Sequence, residues 1–394
     1  LKNNMSAISR TVWVLSLVSL CTDIASEMLY PIMPLYLQSI QFSVVFIGVL
    51  EGVAEAIAGI SKGYFGKLSD AKGLRVPFIR WGYGLSAISK PMMAVFTHPL
   101  WVLLARSTDR IGKGIRTGAR DAMLSDEATP QTKARIFGFH RSMDTLGAVI
   151  GPVMALLFLY YKPGNYVMLF YIAFIPGILA IILTGILKDK KTKPIQTTPT
   201  RFLSFLQYWC TSPAAYRKLL IGLLLFTLCN SSDVFLLLKM KEAGISDTIT
   251  ISIYIFYNCI YALFAYPIGI LADKIGMKKV LVSGIILFSI VYVSMAMMQS
   301  LGWFIIAFLL YGIYAAATEG IAKAWITNIA AKQDKATAIG TYTALQSICT
   351  LLASSITGIV WYRYGATAAL SATAVIAFVA AMYIASLQQD KQIA

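Results

Sequence analysis

The sequence predicts an all-α membrane protein with twelve transmembrane helices in two pseudo-symmetric six-helix bundles. Three observations carry this: an apolar composition, a recurrence of membrane-length apolar stretches, and a loop motif that appears twice. Of the 394 residues, 58% are hydrophobic and only 13% are charged, and the mean hydropathy is +0.70. Soluble domains carry about 25% charged residues. Apolar stretches of roughly 20 residues recur along the chain, each long enough at about 1.5 Å per residue to cross a hydrocarbon core of about 30 Å.

Taken in order, spans are expected at 11–38, 43–65, 77–97, 100–123, 136–160 and 166–187, then at 218–240, 247–271, 278–298, 302–328, 336–360 and 366–386. The apolar run Val12 to Leu20 resembles a signal peptide. Asp23 and Glu27 follow it at once and no small-residue cleavage site stands out, so it reads as the first span. The segment 188–217 opens with KDKKTKP and continues into FLSFLQYW, which predicts a linker with an interfacial helix. The chain thereby divides into a bundle at 1–187, the linker at 188–217 and a bundle at 218–394.

The net charge of +16 raises nucleic acid as a partner, and the placement of that charge argues against it. Basic residues crowd alternate connections, at Lys67, Lys72 and Arg75, at Lys133 and Arg135, at Lys188 to Lys193, at Lys274 to Lys279, and at Lys332 and Lys335. That asymmetry is the positive-inside pattern and puts both termini and every basic loop in the cytoplasm of a multi-pass inner-membrane protein. The five cysteines are scattered without metal or redox spacing, and His98 and His140 are too few for a histidine metal centre.

The two halves share a motif. Gly66-Lys-Leu-Ser-Asp70-Ala-Lys-Gly73-Leu-Arg75 recurs as Gly269-Ile-Leu-Ala-Asp273-Lys-Ile-Gly276-Met-Lys278, each copy after the second span of its half. The first copy, GxLSDxxGxR, is similar to the signature between helices 2 and 3 of the major facilitator superfamily. The second resembles the related site between helices 8 and 9. The resemblance extends to the span count, the linker and the Gly151-Pro152 pair in helix 5. It implies the superfamily fold, a central cavity lined by helices 1, 4, 7 and 10, and halves that rock about it. It also implies a gating role for Gly66, Asp70, Gly73, Arg75 and Asp273, with the Asp70 loop latching the cytoplasmic side when the cavity faces outward. Physically, Gly66 permits close helix approach, Asp70 can meet the positive end of a neighbouring helix, and Arg75 can pair across the loop.

The fourth span is the anomaly. ARSTDRIGKGIRTGARDAML, residues 105–124, carries seven charged side chains, and about 15 Å of helix from Leu100 places Arg110 near the bilayer midplane. Arg106, Arg110 and Lys113 share a face, with Asp109 in i, i+4 reach of Lys113. A charge facing lipid there costs about 2.5 to 3.5 kcal/mol, so this face must see water or countercharge. Countercharge is available at Asp23 and Glu27, at Glu51 and Glu55, and at Asp144 beside Arg141. Protonation of Asp23, Glu27, Glu51, Glu55 or Asp144 would free a base for cargo, so these are the candidate proton-coupling residues.

Candidate substrate-binding residues are Arg110, Lys113, Arg116 and Arg141 in the first half, and Asn230, Asp233, Tyr254, Asn258, Glu319 and Lys323 in the second. Glu319 and Lys323 are again i, i+4, and Tyr254, Tyr257, Asn258 and Tyr261 form a polar-aromatic stripe. GKGIRTG at 112–118 imitates a phosphate loop but follows no strand; Gly114 and Gly118 read as small-residue packing, as do Gly147 and Gly151. No Ser/His/Asp constellation or nucleotide-binding domain is present, so an enzyme is not expected. The expected function is proton-coupled alternating access for a small organic solute, anionic in character, of organic-acid or carboxylate-rich chelator type. The alternatives are an exporter of cationic drugs or metabolites using Asp23, Glu27 and Glu319, and a non-transporting sensor or scaffold. The expected partners are the substrate and the lipid bilayer, with no nucleic acid, a monomeric state, and no cofactor beyond a proton gradient.

Overall fold

The computed structural model describes residues 8–30, 32–42, 44–189 and 203–387. Among these residues the chain is helical throughout, without a strand. The first half comprises α1 (Arg10–Leu29), α2 (Met33–Ser39), α3 (Val44–Lys72), α4 (Val76–Val95), α5 (Pro99–Asp126), α6 (Lys133–Tyr161) and α7 (Tyr166–Thr184). After a 3-10 turn at Ser204–Gln207 come α8 (Tyr208–Thr211), α9 (Ala214–Thr227), α10 (Val234–Glu242), α11 (Asp247–Ile275), α12 (Met277–Met297), α13 (Leu301–Ile329) and α14 (Lys335–Ser386).

Local chemistry sets the ends of these helices. Ser9 accepts a hydrogen bond from the Val12 amide at 3.3 Å and opens α1, and Asn165 does the same for α7 through Met168 at 3.2 Å. Asp189 serves α4, accepting from the amides of Arg75 at 2.8 Å and Val76 at 3.0 Å. Gly73 and Gly276, equivalent in the repeat, take φ of 64° and 100°, and this left-handed turn lets one helix end and the next begin within a few residues. Gly365, at φ 84°, divides α14 into the expected eleventh and twelfth spans.

Two expected spans are each two helices. The stretch 11–38 ends one helix at Leu29 and begins another at Met33, in a sequence where Pro31 and Pro34 withhold amide donors. The stretch 218–240 is interrupted at Asn230-Ser-Ser-Asp233, whose short polar side chains compete with the backbone for hydrogen bonds. Its first helix also begins earlier than expected, at Ala214, so the linker ends sooner. The interfacial helix is replaced by the 3-10 turn and the four-residue α8, with Phe205 and Tyr208 buried in the protein. Phe205 fills the space left by Gly63.

Seven helical stretches among the described residues are long and apolar enough to cross a membrane by composition alone, one of them the double span around Gly365. The other spans are interrupted, as in α9 and α10, or charged on an inward face, as in α5. Helices α1 and α3–α7 form one bundle and α9–α14 the other. The halves meet chiefly where α3 packs on α14 and where α6 packs on α11. Both contacts are tight at the end that carries the basic connections, here termed the basic end. Gly66 lies against Ala336 and Gly340, and Gly269 lies against Ala134 and Arg135. A Cβ on Gly66 would sit 2.5 Å from the Ala336 carbonyl oxygen, so only glycine lets these helices approach so closely.

Candidate functional site

Between the halves lies a cavity of about 370 Å³. The first half contributes Asp23 and Glu27 from α1, Lys62 from α3, Lys113, Arg116 and Arg120 from α5, and Arg141 and Asp144 from α6. The second contributes Asn230 and Asp233 from the break before α10, and Tyr254, Tyr257, Asn258 and Tyr261 from α11. Tyr314, Glu319 and Lys323 come from α13, and Tyr342 and Gln346 from α14. A smaller pocket of about 50 Å³ adjoins it within the first half and shares Asp23, Glu27, Lys113 and Arg116. Arg110 lines this smaller pocket, beside Glu27 and Lys113. Glu51 and Glu55 lie on α3, and their side chains fall outside the described residues.

Ion pairs cross the floor of the cavity from one half to the other. Arg141 contacts Glu319 of α13, holds Asp144 at 2.7 Å, and donates to the Tyr261 hydroxyl at 2.5 Å. Asp144 also accepts from the Ser19 hydroxyl of α1. One turn further along α13, Lys323 reaches Asp121 of α5 at 2.9 Å, while Arg120 holds the same carboxylate at 2.9 Å. The polarity reverses between the two cross-pairs: the first half supplies the base for Glu319 and the acid for Lys323.

Two expected pairings are therefore different in the folded protein. Glu319 and Lys323 are i, i+4 neighbours, yet each has its ion pair across the interface. Asp109 pairs with Lys90 of α4 at 2.7 Å rather than with Lys113, because the neighbouring helix brings a base closer than one helical turn does. Arg116 is largely committed to the protein: it donates to Ser86 at 2.5 Å and lies over the Tyr83 ring at 4.5 Å. Asn230 donates to the Tyr314 hydroxyl at 3.0 Å, Tyr311 donates to Asp233 at 2.7 Å, and Asn258 donates to the Tyr254 carbonyl of its own helix at 3.0 Å.

The sequence reading missed Arg120 and Asp121. They lie near the end of the expected fourth span, where charge is ordinary, and only the approach of α13 makes Asp121 a cross-half partner. Their spacing after Arg116 continues the charged face of α5, which is the signal that could have found them. Gly114 and Gly118 do pack as small residues, against Ser61 and Gly66, as Gly147 and Gly151 do against α1.

The basic end is closed by a second, pseudo-symmetric set of contacts. Asp70 accepts from the amide and hydroxyl of Thr337, each at 2.6 Å, and pairs with Arg75 at 2.5 Å. Asp273 accepts from the amides of Ala134 at 3.0 Å and Arg135 at 3.1 Å. Each motif acid thus caps the first turn of a helix in the opposite half, α14 for Asp70 and α6 for Asp273, where unpaired amides and the helix dipole favour a carboxylate. Lys335 adds a pair to Asp126 at 2.6 Å, and Lys133 donates to the Thr327 carbonyl at 2.6 Å. Both acids lie beyond the expected ends of their spans. Burial pushes the Asp70 carboxyl up against the opposing pull of Arg75 and Thr337, and pushes Asp273 up to about 6 despite its amide partners.

A cavity at the centre of two pseudo-symmetric helical bundles, lined by ionisable side chains and closed at one end by reciprocal caps, is the arrangement of a membrane carrier. The model of the Major Facilitator Superfamily matches residues 15–258 and 234–392, and the chain belongs to that superfamily. It is a transporter and not an enzyme. It is 32% identical over 393 residues to an uncharacterized MFS-type transporter of Methanocaldococcus jannaschii, covering 96% of this chain and 97% of that one. It is 28% identical over 150 residues to the staphyloferrin B transporter of Staphylococcus aureus, covering 37% of this chain and 35% of that one. Among solved structures, the human organic anion transporter MFSD10 superposes with a TM-score of 0.78 at 16% identity, covering 95% and 99% of the two chains. The Escherichia coli fucose:proton symporter FucP does so at 0.77 and 12% identity, covering 95% and 98%. At these identities the two structures show the shared fold.

Proposed function

We propose that this transporter moves a small organic anion across the cytoplasmic membrane by proton-coupled alternating access, with the basic end and both termini in the cytoplasm. The observation that supports it most is the pair of reversed ion pairs across the cavity floor. Each member has an alternative partner in its own half: Arg141 has Asp144, Asp121 has Arg120, and Glu319 and Lys323 have each other one turn apart. Separation of the halves at the basic end then leaves no charge of the cavity floor without a partner. Cross-half pairing favours the closed basic end and within-half pairing favours the open one.

Proton coupling is assigned to Asp23 and Glu27. They face Lys113 across the shared wall of the two pockets and act on it electrostatically; protonating them releases Lys113 to an anionic cargo. The resemblance to the staphyloferrin B transporter, confined to 150 residues, is in keeping with a carboxylate-bearing cargo. The reading as an exporter of cations is weakened because Glu319, one of its three acids, is engaged by Arg141. In proteoliposomes, an inward proton gradient should drive uptake of the transported anion, and Asp23→Asn with Glu27→Gln should flatten its pH dependence. An unchanged pH profile in both variants would remove proton coupling at this site.

A further inference from the structure

Among the described residues, three ionisable groups other than tyrosines reach the cavity from the second half: Asp233, Glu319 and Lys323. Arg141 satisfies Glu319 and Asp121 satisfies Lys323. Asp233 differs from both. Its partner is the neutral hydroxyl of Tyr311 at 2.7 Å, and the other charge acting on it is the like charge of Glu319. It sits in the break between α9 and α10, and aromatic rings surround the site. Tyr257 lies with its ring centroid 5.1 Å from that of Tyr311 and 5.8 Å from that of Tyr254. A carboxylate among tyrosine rings is a receptor for an ammonium group, which gains from the charge and from the ring faces together.

The opposite wall has the complementary character. Lys113 faces the cavity from α5, and among the described residues its ammonium makes no direct ion pair; Asp23 and Glu27 act on it from a distance. When either is protonated, Lys113 is a base in want of an anion. One wall therefore presents an acid without a base, and the other a base whose acids can be neutralised.

We propose that the cargo is a small zwitterion, with its amine held at Asp233 and its carboxylate or phosphonate held at Lys113. This rests on the transport reading above, keeps its acidic group at Lys113 and adds an amine to the cargo, since a simple anion satisfies Lys113 alone. The physical reason is occlusion. As the halves close over the cargo, water leaves the cavity, and a simple anion would strand Asp233 without a countercharge in a low-dielectric space. A zwitterion neutralises both walls at once and ties the two halves together through its own skeleton.

The test is ligand-induced thermal stabilisation of the purified, lipid-reconstituted protein. The probes are phenylalanine, glutamate, ornithine and 2-aminoethylphosphonate, each beside its N-acetyl derivative and its carboxyl or phosphonate ester. The intact zwitterions should stabilise the protein more than either derivative. Asp233→Asn should weaken the best zwitterion by about tenfold and leave its N-acetyl derivative unaffected, while Lys113→Gln should weaken the zwitterion by a similar factor and leave its ester unaffected. Melting of each variant without ligand, and retention of binding in Asp233→Glu, separate loss of the site from loss of the fold. The proposal is overturned if no zwitterion is preferred over its N-acetyl derivative, or if Asp233→Asn binds it as the wild type does. Gradient-driven flux of a simple anion that is indifferent to Asp233→Asn would sink this proposal and leave the transport reading standing. Failure of every bound probe to move under a proton gradient would strike the transport reading itself.

Discussion

Asp144, Glu319 and Tyr261 all converge on the Arg141 guanidinium. Its planar fork can serve several acceptors together, which a lysine ammonium cannot do with the same geometry. Arg141→Met should abolish transport and lower thermal stability, because Asp144, which is buried, and Glu319, which is half-exposed in the cavity, lose the base they share. Adding Glu319→Gln should recover part of that stability in thermal melting; no recovery would mean that the two groups are not coupled. At this scale the sequence was legible in kind but not in pairing. The acids and bases in the spans were recognisable as inward-facing, since lipid does not tolerate them. Which acid meets which base was not recognisable: Asp109 finds Lys90 and Lys323 finds Asp121 only because α4 and α13 pack where they do.

Among the elements, α13 carries both second-half members of the cross-half ion pairs, Glu319 and Lys323, and the proposed exchange can be tested on it. Exchanging its two charges, with Glu319→Lys and Lys323→Glu in one protein, keeps the i, i+4 pair within the helix and sets like charges against Arg141 and Asp121. The basic end should then open, read as increased labelling of a cysteine placed at Thr343 by a membrane-impermeant thiol reagent applied from the basic-loop side. Labelling equal to that of the parent would exclude the exchange. The contact of α3 with α14 offers a second measurement with the same probe. Gly66→Val places side-chain atoms where the Ala336 carbonyl already lies, and should also raise labelling at Thr343. These helices were legible from the length of their apolar stretches. The breaks in the first and seventh spans were not, because hydropathy is blind to where backbone hydrogen bonds stop.

The whole molecule is organised by its internal repeat, and the repeat makes a symmetric prediction. Asp70 and Asp273 each cap a helix of the opposite half, so removing either cap by mutation to alanine should open the basic end to a similar degree, and removing both should open it further. The two acids also make closure sensitive to pH. The Asp273 carboxyl titrates at about 6 when buried, above the ordinary value of about 3.9. The closed form therefore holds the proton more tightly than an open form in which the group is solvated. Closure is favoured fully below the ordinary value and weakens as pH rises through about 6. Asp273→Asn, which keeps a cap acceptor and cannot ionise, should flatten that dependence in the same labelling measurement. A dependence as steep in the variant as in the parent would show that Asp273 does not set it.

The sequence alone determined the membrane class, the twelve spans, the division into halves and the position of the motif loops, because bilayer thickness and the cost of buried charge act on composition and spacing along the chain. The tertiary structure decided the partners: the reversed ion pairs on the cavity floor, the reciprocal caps, and an Asp233 whose partner among the described residues is a tyrosine hydroxyl. Those depend on which helix faces which across the interface between bundles, and periodicity within a single helix carries no information about its neighbour.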